Sequence, residues 1–294
     1  MNTASEQLIA QFKALADPVR LRLLALCAHG ECSVSELTTV LGQSQPRISQ
    51  HLKTLGDAGL VERFRDGHFV YYRVPQRGDR AATRRRLLGL LPADEPDFAR
   101  DAEKLRAIRG TVSADADEVG SDDRALYRAL VELTVARPLG DLIDIGCGHG
   151  SLLKLLASRA QRAVGVDINA DARRFARAEL LLAGLPNCTL RQGDMHALPF
   201  SDGEFDTVIL DDVLTEANRP VDAILEAKRL LRQGGHLLLL VSTSSAETNE
   251  LSKALAKWCH AGDLRLSSPR AIPVKNPRWL LAVATRATTD AAAA

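Results

Sequence analysis
The residue types best suited to ligand chemistry in this 294-residue chain cluster at Asp144-Ile145-Gly146-Cys147-Gly148-His149-Gly150. An apolar run over residues 139–145 leads into this segment, and a helical pattern over residues 151–157 follows it. That order predicts a strand, a glycine loop and a helix N-terminus, where unpaired backbone N–H groups face a ligand and glycine lets it come close. Asp144, Gly146, Cys147 and Gly148 are therefore candidate ligand-binding positions. A nicotinamide-type fingerprint would need a glycine at position 151, which is Ser151. Asp167 closes the next apolar run, with Ile168 beside it, and Gly193-Asp194-Met195 follows the third. A carboxylate at such a strand end can accept both hydroxyl protons of a ribose.

A second set of chemically suggestive residues lies near the N-terminus. Ile48, Leu52 and Leu55 form a stripe at helical spacing, so the step of about 100° per residue turns Arg47, Ser49, Gln50, Lys53 and Thr54 away from it. Ser44 and Gln45 sit at the start of that helix. Arg and Gln can read purine edges in a major groove, while Ser and Lys suit phosphate or mixed contacts. His51, about 60° from the stripe, fits either DNA contact or packing on the preceding helix. Beyond it, β-rich runs at residues 60–64 and 69–74 flank Arg65-Asp66-Gly67-His68, where Asp-Gly marks a tight hairpin. Arg65 and His68 give that hairpin a basic tip.

The elements that must position these residues are also legible. Leu8, Phe12 and Leu15 predict a first helix. Asp17-Pro18 supplies a cap and first-turn proline for a second, carrying Val19, Leu23, Leu24 and Leu26. Ser33 and Glu36 form a capping box for a third, which ends at Gly42, and Ser44 caps the fourth. Helix-turn-helix followed by a hairpin is a winged helix. Farther on, apolar runs at 139–145, 163–166, 189–191, 207–210 and 237–241 alternate with helical stretches, the pattern of a doubly wound parallel sheet. The expected class is α/β with two domains: a winged helix-turn-helix over residues 1–75, a helical connector and dimerisation segment over 76–121, and a Rossmann-like domain over 122–294. In the connector, Phe98, Leu105, Ile108 and Val112 form an apolar stripe that fits a dimer contact or packing on the next domain. Arg84-Arg85-Arg86 either touches flanking phosphates or is a solvated face. Residues 113–123, rich in Ala, Asp, Gly and Ser, read as a flexible join.

The 38 Lys and Arg against 37 Asp and Glu leave a net charge of +1, so any evidence for nucleic-acid binding is local. The five cysteines never form a Cys-x-x-Cys pair, which argues against a zinc ribbon or disulfide framework. Cys27 and Cys32 read as separate buried thiols, too few for a soft metal, and no metal is expected. Neither a leader-like N-terminus nor a spanning apolar run is visible, so a soluble, cytoplasmic protein with no membrane partner is expected.

Two resemblances follow from these residues. Phe12-Lys13-Ala14-Leu15-Ala16-Asp17-Pro18-Val19-Arg20-Leu21-Arg22-Leu23-Leu24, with Ser49-Gln50-His51-Leu52-Lys53-Thr54-Leu55 and Gly59-Leu60-Val61, resembles the ArsR/SmtB family of dimeric repressors. This implies binding to double-stranded operator DNA as a homodimer. The thiolate pair by which arsenite- or cadmium-sensing members bind metal falls here on Ser33 and Ser35, and no histidine lies between His68 and His149 for the family's other site. The spacing Asp-x-Gly-x-Gly-x-Gly resembles motif I of class I methyltransferases, supported by Leu198-Pro199-Phe200, Phe205-Asp206 and Leu230-Leu231-Arg232-Gln233-Gly234-Gly235. The resemblance implies S-adenosylmethionine or S-adenosylhomocysteine as cofactor. It puts the adenine amino group on Asp194, ring packing on Met195, and the amino-acid end of the cofactor beside Asp211.

No catalytic residue can be named, because methyl transfer asks little beyond placing an acceptor in line with a sulfonium. Asp212 and Glu216 are either bases or exposed carboxylates. The combination resembles bacterial repressors of the methionine cycle that respond to S-adenosylhomocysteine, which implies a small-molecule effector. An active small-molecule methyltransferase with its own DNA-binding domain, and a repressor whose second domain is structural, are the alternatives.

Overall fold
The structure, a computed structural model, describes residues 4–67, 69–76, 78, 81–92, 95–114 and 124–286. His68 and most of the expected join over 113–123 lie outside the described residues. Two compact units are present, Met1–Asp117 with Arg174–Thr189, and Glu118–Arg173 with Leu190–Ala294.

The first unit opens with α1 (Ala4–Leu15), α2 (Pro18–Ala28), the two-residue β1 (Cys32–Ser33), α3 (Val34–Leu41) and α4 (Gln45–Asp57). The hairpin β2 (Glu62–Asp66) and β3 (Phe69–Arg73) follows, then α5 (Ala81–Leu88) and α6 (Pro96–Ala114). Local chemistry sets the boundaries. Asp17 accepts the Arg20 N–H at 3.0 Å to start α2. Ser33 and Glu36 bond each other's backbone N–H groups to start α3, and Gly42 ends it with φ +63°. Ser44 occupies the cap position of α4, yet its side chain makes no capping bond, contrary to expectation. Leu23, Leu37, Ile48, Leu52 and Leu55 are fully buried in a common core. The small sheet runs β1-β3-β2, all antiparallel. β1 escapes sequence reading because two residues carry no period.

Two residues of the connector stripe pack within this unit. Leu105 of α6 is buried in the winged-helix core, with Ile108 packed beside it. In α5, Leu87 joins the same core, and Arg84 is buried, donating to the Pro75 carbonyl at 3.1 Å. Arg84 is thus a structural member of the arginine run.

The second unit contains α7 (Arg124–Ala136), β4 (Asp141–Ile145), α8 (Ser151–Leu156), β5 (Arg162–Asp167), the start of α9 (Ala170–Leu182) and most of β6 (Cys188–Gln192). It continues through β7 (Phe205–Asp211), α10 (Pro220–Leu230), β8 (Leu231–Ser242), α11 (Thr248–Ala261), β9 (Leu264–Leu266), β10 (Arg270–Ile272) and β11 (Trp279–Arg286). The sheet order is β10-β11-β8-β7-β4-β5-β6, with β9 on β11. β4 pairs in parallel with β5 and β7, and β7 with β8. β11 pairs antiparallel with β8 and β10, extending the sheet beyond the five runs read from the sequence. The order changes direction at β4, which puts a crevice outside the carboxyl ends of the central strands. Ile143, Ile145, Val208, Leu210, Leu237 and Leu239 fill the core beneath it.

Candidate functional site
The carboxyl end of β4 delivers Asp144 into complete burial, where neither carboxylate oxygen has a hydrogen-bond partner. Burial, then the charges of Asp211 and Asp167, push its pKa well above the ordinary carboxylate range. Asp211, ending β7, is pushed up to about 7 by burial, then by Asp212 and Asp167. The loop between β4 and α8 is tied to β5, since the N–H groups of Gly146 and Cys147 donate to the Val166 carbonyl at 2.8 and 3.0 Å. Gly146 has φ +83°, and a Cβ there would lie 2.1 Å from Val213 Cγ1 and 2.9 Å from the Asp211 carbonyl oxygen. Only glycine fits. Cys147 is buried.

Asp167, at the end of β5, accepts the Gly148 N–H at 2.9 Å through one oxygen and the Asn169 N–H at 2.7 Å through the other. Ile168 beside it is exposed. Asp194 presents a largely exposed carboxylate that accepts both the backbone N–H of His196, at 2.9 Å, and a 2.7 Å contact from its ring Nδ1. These bonds hold Asp194 below the usual carboxylate range. In the sequence this pairing has no signal beyond a two-residue spacing across a turn. Met195 is half-buried against the core. Asp212 has φ +53°, and its carboxylate accepts the Ser242 N–H at 2.7 Å. That bond gives it a structural partner.

Asp167 and Asp211 thus set negative charge beside Asp144 at the mouth of a glycine loop. An orphaned buried carboxyl, a loop where a Cβ would clash, and a carboxylate at the second strand end fit the adenosyl cofactor that the fold family implies, with positive charge on its amino-acid end. Among the described residues, no group of three or more His, Cys, Asp or Glu is arranged to hold a metal ion. Cys32 Sγ donates to the Leu26 carbonyl at 3.5 Å. The neighbouring Cys32 and burial push the Cys27 thiol well above its ordinary range.

In the first unit, Ser44, Gln45, Arg47, Gln50 and Lys53 are exposed along one side of α4, Ser49 is half-buried, and Arg65 is exposed on β2. These are polar groups on a helix whose opposite stripe is fully buried. His51 lies 3.9 Å from Asp17 and is only 16% exposed, so it packs on the cap of α2. A buried charged cluster in this unit, formed by Arg177, Glu31, Asp66, Arg109 and Glu36, has no counterpart in the sequence reading. Its members are too far apart in the chain to leave a local pattern.

Residues 17–63 match the bacterial regulatory protein, arsR family, and residues 143–239 match the methyltransferase domain. The arsenic resistance transcriptional regulator ArsR1 of Pseudomonas putida is 42% identical over 99 residues, covering 32% of this chain and 73% of the relative. The ubiquinone/menaquinone biosynthesis C-methyltransferase UbiE of Ectopseudomonas mendocina is 32% identical over 156 residues, covering 50% of this chain and 60% of the relative. Curated relatives matched over about half of this chain are themselves covered over 48% to 66% of their length. A crystallised S-adenosylmethionine-dependent methyltransferase from Aquifex aeolicus superposes with a TM-score of 0.48 at 14% identity, covering 60% of this chain and 97% of that one. No helix among the described residues is long and apolar enough to cross a membrane. The chain belongs to the ArsR family of bacterial regulatory proteins and carries a methyltransferase domain C-terminal to its helix-turn-helix.

Proposed function
We propose that the protein is a transcriptional repressor that reads operator DNA with α4 and the β2–β3 wing and takes S-adenosylmethionine or S-adenosylhomocysteine as its effector. Support comes chiefly from Asp144, whose buried carboxyl lacks a partner at the mouth of the glycine loop, in a chain whose reading helix is exposed. Gly148 and Cys147 would border the ligand, Asp167 and Ile168 its ribose, Asp194 and Met195 its adenine, and Asp144 and Asp211 its positively charged end. Ser44, Gln45, Arg47, Ser49, Gln50, Lys53, Arg65 and His68 would face DNA. By the resemblance of the sequence, the controlled genes are those of the methionine and S-adenosylmethionine cycle, and the DNA-bound form is a homodimer.

The ligand releases DNA only if it binds the free and DNA-bound states with different affinity. Fluorescence anisotropy of a duplex selected from random sequence tests this. The DNA Kd should rise about tenfold with saturating S-adenosylhomocysteine, within the usual range of coupling between two sites. A second reading, methyl transfer to a small molecule, is favoured by the alignment with a C-methyltransferase. Label transfer from a methyl-labelled donor would support it.

A further inference from the structure
The turn from Gly193 to Leu198, which follows β6 in the second unit, is anchored at both ends. Gly193 presses it onto β5, since a Cβ there would lie 2.5 Å from Leu198 Cδ2 and 2.7 Å from Val166 Cγ1. At the other end, α10 holds Leu198 by both backbone groups. The Leu198 N–H donates to Glu226 at 2.7 Å, and its carbonyl accepts Arg229 Nη2 at 3.1 Å. Glu226 and Arg229 also pair with each other at 2.7 Å. Between these anchors the Ala197 N–H donates to the Asp194 carbonyl at 3.0 Å and closes the turn. Asp194 and His196 thus stand on a backbone fixed from both sides.

On that backbone one carboxylate oxygen of Asp194 is occupied and the other is open. Oδ1 takes both the N–H of His196, at 2.9 Å, and its ring Nδ1, at 2.7 Å. An ionised carboxylate can only accept, so Nδ1 carries the proton of that contact. Nε2 of the same ring is buried without a partner, so among the described residues the ring's one hydrogen bond is the one it gives Asp194. The two side chains differ in exposure, 15% for His196 against 61% for Asp194. A ring tucked into the turn therefore holds a carboxylate that faces outward, and leaves Oδ2 as a bare acceptor at a set angle. The two bonds from His196, with the charge of Arg219, keep Asp194 below the ordinary carboxylate range, so it meets a ligand ionised.

We infer that His196 is a positioning residue for purine recognition: it turns Asp194 so that Oδ2 accepts from the 6-amino group of an adenine and rejects a purine with oxygen at that carbon. This rests on the effector reading above, which puts adenine beside Asp194. An amino group brings N–H donors to the open oxygen, whereas a 6-oxo group sets lone pairs against a negative charge. A charge-assisted bond from the ring fixes the carboxylate plane. Without it, Asp194 is free to turn about its terminal torsion, which is broad, and the two purines become harder to tell apart.

The test uses the full chain and its His196→Ala, His196→Asn and His196→Gln variants, each checked by circular dichroism melting. Calorimetry compares S-adenosylhomocysteine with its 6-oxo counterpart, S-inosylhomocysteine. The parent protein should favour the amino form at least about tenfold, and His196→Ala should reduce that preference to about threefold or less. Asn places an amide N–H where Nδ1 stands and should restore most of the preference, whereas Gln, with its amide one carbon farther out, should not. A ring that only stabilised the turn would lower the melting temperature and leave the preference intact. A folded Ala variant with the parent's preference therefore overturns the inference. If the Ala variant does not fold, equal preference in the Asn and Gln variants overturns it instead. A parent that binds both purines equally overturns it while the effector reading stands. A parent that binds neither overturns the effector reading, and the inference with it.

Discussion
Asp144 is a fully buried carboxyl whose two oxygens have no hydrogen-bond partner, and such a group costs a fold roughly 1–3 kcal/mol. A residue that weakens the fold at a ligand loop is where stability and binding trade against each other. Asp144→Leu should therefore raise the melting temperature by about 2–4 °C for each kcal/mol recovered and weaken cofactor binding at least about tenfold, read by thermal denaturation and calorimetry. Asp211 adds a pH signature. Its pKa is about 7 in the native protein against an ordinary 3.8, so the unfolded chain ionises first as pH rises. The stability it contributes is present below about pH 4 and is lost as pH climbs through 7. A ligand bearing positive charge favours the ionised form. Binding of S-adenosylmethionine should then release protons near neutrality and tighten between about pH 6 and 8. Calorimetry in two buffers of different ionisation enthalpy measures this, and proton uptake would contradict it.

At the scale of elements, α3 and α4 depend on short-range devices. Ser33→Ala removes one arm of the capping box and should cost about 0.5–2 kcal/mol in urea unfolding. On α4, Gln50→Ala should relax sequence preference at one base pair by about 1–3 kcal/mol, while Lys53→Ala should weaken all sequences alike and flatten the salt dependence. Anisotropy across duplex variants and salt separates the two. These elements were legible in the sequence because caps, turns and apolar stripes are local: Asp17, Ser33, Gly42 and the Asp66-Gly67 turn mark their own boundaries. The loop from Asp144 to Gly150 was legible for the same reason. What stayed hidden is long-range. Arg177 reads as one more polar residue on an amphipathic helix, and only folding brings it to Glu31, 146 residues away in sequence. Likewise β9 and β10 have three residues each, too short for a period to register. The connector stripe showed its period plainly, but a period names no partner, and Leu105 turned inward to the winged-helix core.

For the molecule as a whole, reading an operator as a symmetric pair of half-sites needs two copies of α4. A face for that contact is available on α1, where Leu8, Ile9 and Phe12 are 39%, 53% and 52% exposed. Large apolar side chains grouped on one exposed helix suit a partner surface. Phe12→Asp should shift the protein toward monomer in sedimentation and weaken DNA binding, with ligand affinity intact. The joining of a DNA reader to a cofactor fold makes sense as one device only if the two equilibria are linked. The most direct measurement is the DNA Kd of the full chain with and without saturating S-adenosylhomocysteine. A reproducible rise of about tenfold is expected from the account, and equal affinity in both conditions would contradict it.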